Sequence, residues 1–131
     1  MTQLFTKALK IANKAYAPYS KFSVGAALQT EDGTIFTGCN VENRSFGATN
    51  CAERTAVYKA VSEGYTKFVA IAIATPNADY PVAPCGICRQ VLSEFADEKM
   101  KIRFGCNENN FIETTLGQLY PFDSLHELSN R

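Results

Sequence analysis

The sequence predicts an α/β fold in which a mixed five-stranded sheet carries helices on its faces. Residues 68–74 form an almost wholly apolar run, which is typical of a strand covered on both faces. Helical and strand-like periodicities alternate along the chain on either side of this run. A chain of 131 residues has the length of one ordinary domain. We therefore expect a single domain over residues 1–131.

The first elements are a helix followed by a hairpin. Apolar side chains recur near the helical period over about residues 3–16, and Pro18 would end that helix. Residues 24–29 and 34–39 are strand-like runs separated by an Asp-Gly pair, which is a hairpin turn signal. These two strands are therefore expected to be antiparallel.

Two more helices follow, each after a polar loop. The loop over residues 40–50 ends at Asn50, a good N-cap, and the helix that starts there would stop at Gly64. After the central strand, residues 75–84 are rich in Pro, Asn and Asp and predict a loop. Helical periodicity then resumes over residues 85–95.

The last elements are two strands and a short helical turn. Residues 101–106 predict a fourth strand and residues 111–114 a weaker fifth one, and residues 116–119 indicate a helical turn before a polar tail. In sheets of this kind ligands bind where loops leave the strands and helices begin. The strand-to-helix connections are therefore the expected place for chemistry.

Composition and charge exclude several classes of protein. Hydrophobic residues make up 46% of the chain and charged residues 20%, which excludes a disordered chain or a coiled coil. Thirteen basic and thirteen acidic residues cancel, which argues against a nucleic-acid polymer or an anionic membrane as partner. No apolar stretch approaches the roughly 20 residues of a membrane span. We expect a cytoplasmic protein that acts on a small neutral ligand.

The cysteines are the first sign of a reactive site. An odd number of five in a domain of this size favours metal binding or catalysis over a disulfide framework. Cys85 and Cys88 are separated by two residues at a predicted helix start, a spacing at which both can ligate one metal ion. The same spacing also occurs in thioredoxin-like redox pairs.

A third thiol favours the metal over the redox pair. Cys51 also stands at a predicted helix start, where the helix dipole lowers the pKa of a thiol. Three thiolates around one Zn²⁺ leave a surplus negative charge, which Arg54 could offset by donating to the sulfurs. The alternative for Arg54 is a solvated charge on a helix surface.

The fourth ligand decides between a catalytic and a structural zinc site, because catalytic sites keep one position open. Cys39, Cys106 and His126 are the other soft ligands, but none has motif spacing, and we expect core cysteines and a surface histidine. Glu53, two residues after Cys51, could reach a water molecule at the open position and move its proton. Its alternative role is to complement the helix dipole.

At these residues the chain resembles the homotetrameric cytidine deaminases. Cys-Ala-Glu-Arg-Thr-Ala over residues 51–56 and Pro-Cys-Gly-Ile-Cys-Arg-Gln over residues 84–90 are similar to the two signatures of that family. Residues 16–22 and 40–43 match it as well. The resemblance implies a three-layer α/β/α sandwich with a mixed five-stranded sheet.

The resemblance also implies a cofactor and a reaction. One Zn²⁺ per subunit would be held by Cys51, Cys85 and Cys88, and Glu53 would carry protons. The reaction would be zinc-dependent hydrolytic deamination of cytidine and 2′-deoxycytidine to uridine and 2′-deoxyuridine with release of ammonia, as in pyrimidine salvage.

Substrate contacts follow from the same resemblance. Asn40 and Glu42 would hold the 3′-hydroxyl of the ribose, and Phe22 would pack against the pyrimidine. By its position alone, at the open start of its helix, the amide of Ala52 would donate to the base carbonyl. Phe122 would reach into the site of a neighbouring subunit of a homotetramer, or else cap its own core.

Three alternatives stay open at this point. A deaminase of another amino-substituted ring, such as blasticidin S, would leave Asn40 and Glu42 unpaired at roughly 1 to 3 kcal/mol each. A non-catalytic zinc-binding module would have no use for a carboxylate beside an open coordination position. A polymer-editing deaminase would need a basic, aromatic-rich patch, which the balanced charge disfavours.

Overall fold

The computed structural model of the protein describes residues 1–129. No helix in this part of the chain is long and apolar enough to cross a membrane. The helices are α1 Thr2–Ala12, α2 Ala52–Ser62, α3 Gly86–Phe95, α4 Leu116–Leu119 and α5 His126–Ser129. The strands are β1 Gly25–Thr30, β2 Ile35–Cys39, β3 Phe68–Ala74, β4 Lys101–Asn107 and β5 Asn110–Thr115.

The five strands form one mixed sheet in the order β2-β1-β3-β4-β5. The β3–β4 pair is parallel, and the pairs β1–β2, β1–β3 and β4–β5 are antiparallel. The strand over residues 68–74 is the central one, as predicted. The mixed five-stranded sheet is therefore confirmed.

The two faces of the sheet are covered by different helices. On one face Ile71 and Ile73 of β3 pack in a core that includes Val57 of α2 and Leu92 of α3. On the other face, alternate residues of β1 and β3 pack against Phe5 and its neighbours in α1. Side chains of a strand point alternately to its two faces, so the sheet lies between two helical layers. This is the predicted three-layer sandwich.

The first helix is shorter than predicted. It ends at Ala12, not near residue 16. Beyond that end the backbone amide of Tyr16 donates to the carbonyl of Asn40 at 3.0 Å, and the amide of Glu42 donates to the carbonyl of Tyr16 at 2.8 Å. These strand-like hydrogen bonds with a loop that is distant in sequence replace helical ones, because they use the backbone N–H and C=O of Tyr16.

Turn residues end the elements largely where the sequence predicts. Gly33 in the β1–β2 hairpin has φ +93° and Gly64 after α2 has φ +96°, conformations that favour glycine. Asn50 is not the N-cap of α2, because that position belongs to Cys51. The Asn50 side chain instead donates to Oγ1 of Thr55 at 3.3 Å.

Candidate active site

Two helix starts bring three thiols together. Cys51 is the N-cap of α2, Cys85 is the N-cap of α3, and Cys88 lies in the first turn of α3. Their Sγ atoms all lie within 4.8 Å of one another. Neither cap residue closes the helix start with a side-chain hydrogen bond, so backbone amides there stay available to the site.

Arg54 is held against this cluster. Its guanidinium donates from Nη2 to Sγ of Cys51 at 3.0 Å, and this contact raises the pKa of Arg54 above its ordinary value. Its Nε is buried and finds no hydrogen-bond partner among residues 1–129. The arrangement favours the charge-offsetting role that the sequence predicts over a solvated surface charge.

The thiols are coupled to one another. A hydrogen bond from Cys88 and the guanidinium of Arg54 together lower the pKa of Cys51 to about 5. The hydrogen bond that Cys88 gives to Cys51, together with burial, raises the pKa of Cys88. The opposite directions of the two pKa shifts reflect the close approach of the two sulfurs, and a bound cation would displace thiol protons from this cluster.

This donor set fits one zinc ion. Three thiolates are soft ligands of the type that Zn²⁺ prefers, and three protein ligands leave one of four tetrahedral positions open. Cys39 and Cys106 lie outside the cluster, as predicted. The side chain of His126 lies outside the described part of the chain. Among the side chains that the structure describes, the cluster therefore has the ligand count of a catalytic site.

Glu53 lies in the first turn of α2 and is 5% exposed. Burial raises the pKa of its carboxyl to about 7, and the negative charge of Cys51 adds to the rise. Since a carboxyl with a pKa near neutrality can both accept and release a proton, this position suits acid–base chemistry.

Asn40, directly after β2, holds the segment that leads into β1. Its Oδ1 accepts from the amide of Val24 at 2.8 Å, and its Nδ2 donates to the carbonyl of Phe22 at 2.8 Å. The side chain is 8% exposed. Each end of the amide keeps one further hydrogen-bonding capacity.

Glu42 fixes the loop before β1. Its Oε1 accepts from the amides of Tyr19 at 3.0 Å and Ser20 at 3.1 Å, and its Oε2 accepts from the Ser20 hydroxyl. These hydrogen bonds, that from the Ser20 hydroxyl above all, lower the pKa of Glu42. The Ser20 hydroxyl also accepts from the amide of Phe22 at 3.0 Å. Lys21 between them has φ +59°, an uncommon conformation for a residue other than glycine.

The other predicted contact residues lie in different surroundings. Phe22 is half-buried and follows the strained Lys21. Ala52 is fully buried at the start of α2. Phe122 is 91% exposed, so it does not cap the core of its own chain. The roles of these three residues toward a ligand stay predictions.

Two residues, Ser20 and Arg89, make clear contacts in the structure although the sequence predicted no role for either of them. Ser20 joins Glu42 to Phe22, as described above. Arg89 donates from Nε to the carbonyl of Pro84 at 2.8 Å and from a terminal nitrogen to the carbonyl of Leu119 at 2.7 Å. A serine whose hydroxyl accepts from the backbone amide two residues later is a local turn signal, so the contact of Ser20 with Phe22 is predictable from the sequence. No local signal points from Arg89 to Leu119.

Comparisons with known proteins find cytidine deaminases both by sequence and by structure. Residues 1–104 match the family model described as the cytidine and deoxycytidylate deaminase zinc-binding region. The chain is 48% identical over 119 residues to a cytidine deaminase of Sporosarcina psychrophila, covering 91% of this chain and 87% of that one. The structure matches the crystal structure of cytidine deaminase from Burkholderia pseudomallei with a TM-score of 0.87 and 45% identity, over 92% and 96% of the two chains.

A weaker similarity connects the chain to an enzyme with another name. It is 33% identical over 111 residues to the blasticidin-S deaminase of Bacillus cereus, covering 78% of this chain and 76% of that one. The zinc cofactor that the cysteines predict is confirmed by the matched zinc-binding region and by the cluster of three thiols. By its sequence, its fold and its cluster, this chain belongs to the cytidine and deoxycytidylate deaminase family.

Proposed function

We propose that the protein is a cytidine deaminase that converts cytidine and 2′-deoxycytidine to uridine and 2′-deoxyuridine by zinc-dependent hydrolysis, with release of ammonia. The observation that carries the proposal is the pairing of a three-thiol cluster with the buried carboxylate of Glu53. A structural zinc site needs four protein ligands and no acid–base group, whereas a hydrolytic site needs three ligands and a proton carrier.

The chain itself supplies ligands, charge balance and proton transfer. Cys51, Cys85 and Cys88 would hold the zinc ion, and Arg54 offsets their surplus negative charge. When bound, zinc supplies a Lewis acid that makes water a nucleophile near neutral pH. The carboxylate of Glu53 takes a proton from the attacking water and gives it to N3 of the pyrimidine ring. It then takes the second proton from the hydroxyl group now on C4 and gives it to the amino group, which leaves as ammonia while the C4 carbonyl of the product forms.

Ribose recognition is assigned to Asn40 and Glu42. Their contacts within the protein leave one N–H of Asn40 and one lone pair on Oε2 of Glu42 free. A sugar hydroxyl can accept from the first and donate to the second. Both residues would therefore bind the 3′-hydroxyl while they hold the loop over residues 19–24.

The remaining contacts concern the base and the assembly. We assign Phe22 to the face of the pyrimidine and the amide of Ala52 to the base carbonyl. Phe122 is assigned to the site of a neighbouring subunit in a homotetramer, because its ring is 91% exposed on a single chain. We place the enzyme in the cytoplasm, because its five cysteines are all free thiols, as is typical of proteins in a reducing compartment. Its proposed role is in pyrimidine salvage.

The test follows deamination by ultraviolet absorbance and measures zinc content in parallel. We expect Glu53→Gln to lower kcat by about 10²–10⁴-fold, because a general acid–base contributes in that range, while zinc stays bound. Glu63→Gln is the matched control, since Glu63 is an exposed carboxylate at the other end of α2. Wild-type turnover in Glu53→Gln, or no conversion by zinc-loaded wild type, would disprove the assignment.

A second substrate class is kept because of the 33% identity to a blasticidin-S deaminase. A ligand without ribose would leave the free capacities of Asn40 and Glu42 unused, at a cost of roughly 1–3 kcal/mol each. We therefore expect turnover of cytidine to exceed that of cytosine and blasticidin S. Faster turnover of blasticidin S would reverse the order of the two candidates.

A further inference from the structure

We propose that Arg89 is a positioning residue that ties the Cys85 end of the metal cluster to the C-terminal segment that carries Phe122. Its guanidinium bridges two backbone carbonyls that lie far apart in sequence, those of Pro84 and Leu119. The proposal rests on the proposed function, since it assigns zinc to the cysteines and a ligand contact to Phe122.

Cys85 is the ligand that packing holds least. Cys88 is buried, and Cys51 is half-buried and receives a hydrogen bond from Arg54, whereas Cys85 is exposed. Its position therefore depends on how its backbone is fixed. The side chain of Arg89 fixes it, because the guanidinium donates to the carbonyl of Pro84 at 2.8 Å, directly before Cys85. The carbonyl of Cys85 accepts the ordinary helical hydrogen bond from the backbone amide of residue 89 at 3.1 Å, which does not depend on the side chain.

The other end of the bridge is the end of α4. Carbonyls in the last turn of a helix have no partner within the helix, and Leu119 is the final residue of α4. The guanidinium of Arg89 supplies the missing donor at 2.7 Å. The guanidinium serves the two carbonyls from two different nitrogen atoms, whereas a lysine has a single side-chain nitrogen.

Two further contacts fix the chain on either side of Phe122 to the same helix. The hydroxyl of Tyr120 donates to the side chain of Gln90. The hydroxyl of Ser93 is shared between the carbonyl of Gln90 at 2.7 Å and Oδ1 of Asp123 at 3.2 Å. The ring of Phe122 itself stays 91% exposed. The segment is thus held on α3 while its aromatic side chain is presented outward.

The consequence is that one side chain orients a metal ligand and a remote substrate contact together. Substitution of Arg89 should free the turn at Cys85 and the segment over residues 119–123 at once. Substitution of Tyr120 loosens the same segment without touching Pro84. These two changes separate the bridge from a general docking of the C-terminal segment.

The experiment uses the zinc-loaded full-length protein. Zinc release to an excess of a chromogenic chelator and hydrogen exchange of the backbone amides are measured for wild type, Arg89→Gln, Arg89→Lys and Tyr120→Phe. We expect both Arg89 variants to release zinc about 10–100-fold faster, as for other residues that orient metal ligands, and to exchange faster over residues 119–123. Tyr120→Phe should accelerate exchange there but release zinc at the wild-type rate.

Exchange in β3 separates this effect from a general loss of stability. The proposal is overturned if both Arg89 variants release zinc like wild type, or if β3 amides accelerate as much as residues 119–123. If Arg89→Gln does not fold, Arg89→Lys, which keeps the charge, carries the test alone. If the wild-type chain bound no zinc, the proposed function would be overturned as well. If wild type bound zinc and turned over substrate while both Arg89 variants released zinc at the wild-type rate, only the bridge would be overturned.

Discussion

The side-chain amide of Asn40 makes hydrogen bonds within the protein through both its oxygen and its nitrogen. Oδ1 accepts from the amide of Val24 and Nδ2 donates to the carbonyl of Phe22. A carboxylate in the same place could accept the first hydrogen bond but could not make the second. The smallest chemical change at this residue therefore breaks a contact and places a charge at a site that is 8% exposed.

We expect Asn40→Asp to lower the free energy of unfolding by roughly 1–3 kcal/mol, since a carbonyl loses its donor and a charge is buried. We also expect a higher KM for cytidine, because the free N–H disappears. Urea unfolding and steady-state kinetics measure the two effects. Asn43→Asp is the control. The side chain of Asn43 is exposed, and its Oδ1 accepts from the amide of Ser45 at 2.9 Å, a hydrogen bond that an aspartate can also accept. Equal losses of stability in both variants would contradict this account.

At the scale of elements, the position of α2 depends on the absence of a side chain at Gly38 in β2. A Cβ atom there would lie 2.5 Å from the backbone nitrogen of Ala56 and 2.7 Å from the carbonyl oxygen of Ala52. Both contacts are with backbone, which cannot rotate away. Because α2 begins beside Cys51 and carries Glu53, this close approach of helix and strand also sets the position of the site.

We therefore expect Gly38→Ala to destabilise the protein by about 1–3 kcal/mol, the usual range for overpacking, and to lower its zinc content. Urea unfolding and metal analysis are the measurements. Gly47→Ala is the matched control, because nothing lies within 4 Å of a Cβ built at Gly47. If Gly38→Ala kept wild-type stability and zinc, α2 would not depend on this contact.

The turn of the β1–β2 hairpin contains a pH-dependent contact that is distant in sequence from Cys51, Cys85 and Cys88. Oδ1 of Asp32 accepts from the hydroxyl of Thr30 at 2.7 Å and from the amide and hydroxyl of Thr34 at 3.0 and 2.8 Å. These hydrogen bonds, that from Thr30 first, lower the pKa of Asp32 below its ordinary value. A carboxyl with a lowered pKa in the folded state stabilises the fold above its unfolded pKa.

We expect wild type to be more stable than Asp32→Ala at pH 7. The difference should shrink as the pH falls below about 4, through the lowered pKa of Asp32, because the protonated carboxyl is a weaker acceptor. Urea midpoints of both proteins across this range give the difference directly, and groups common to both cancel. A difference that is the same at pH 7 and pH 3 would show that the charge of Asp32 is not involved.

At the scale of the whole molecule, large aromatic side chains stay exposed on a single chain. Phe122 is 91% exposed and Phe46 75% exposed, although Phe46 contacts the ring of Tyr19 at 5.9 Å between centroids. Exposed aromatic groups of this kind are typical of surfaces that bind a partner. They support the proposal that the complete site includes a residue of a second subunit.

Complementation between two inactive variants tests whether one subunit contributes Phe122 to the site of another. Glu53→Gln and Phe122→Ala should each have low activity, and subunits of both, mixed and reassembled, should regain it. In mixed oligomers about a quarter of the sites would combine an intact Glu53 with an intact Phe122 of a neighbour. Each variant reassembled alone is the control. A mixture no more active than its parents would place Phe122 outside the neighbouring site.

Prediction from the sequence was best where the signal is local. The bounds of β3 and α4 agree with those predicted, since an apolar run and a short helical turn are encoded within a few residues. The end of α1 was wrong by about one turn, because Tyr16 pairs with a loop that lies distant in sequence. Arg89 had no predicted role for the same reason, because its side chain contacts Leu119, 30 positions away. The contact of Ser20 with Phe22 is local and has a turn signal, whereas its contact with Glu42 spans 22 positions and has none.

The order of the elements follows from the sequence, and so do the three thiols at helix starts and the carboxylate two residues after the first of them. Periodicity, turn residues and motif spacing are sufficient for this because they depend on neighbours along the chain. Three features come from the packing of the chain in three dimensions: the three sulfurs lie within 4.8 Å of one another, Glu53 is buried, and Arg89 connects Pro84 to Leu119. Distances, burial and the resulting pKa values depend on how the helices pack on the sheet, which local sequence does not specify.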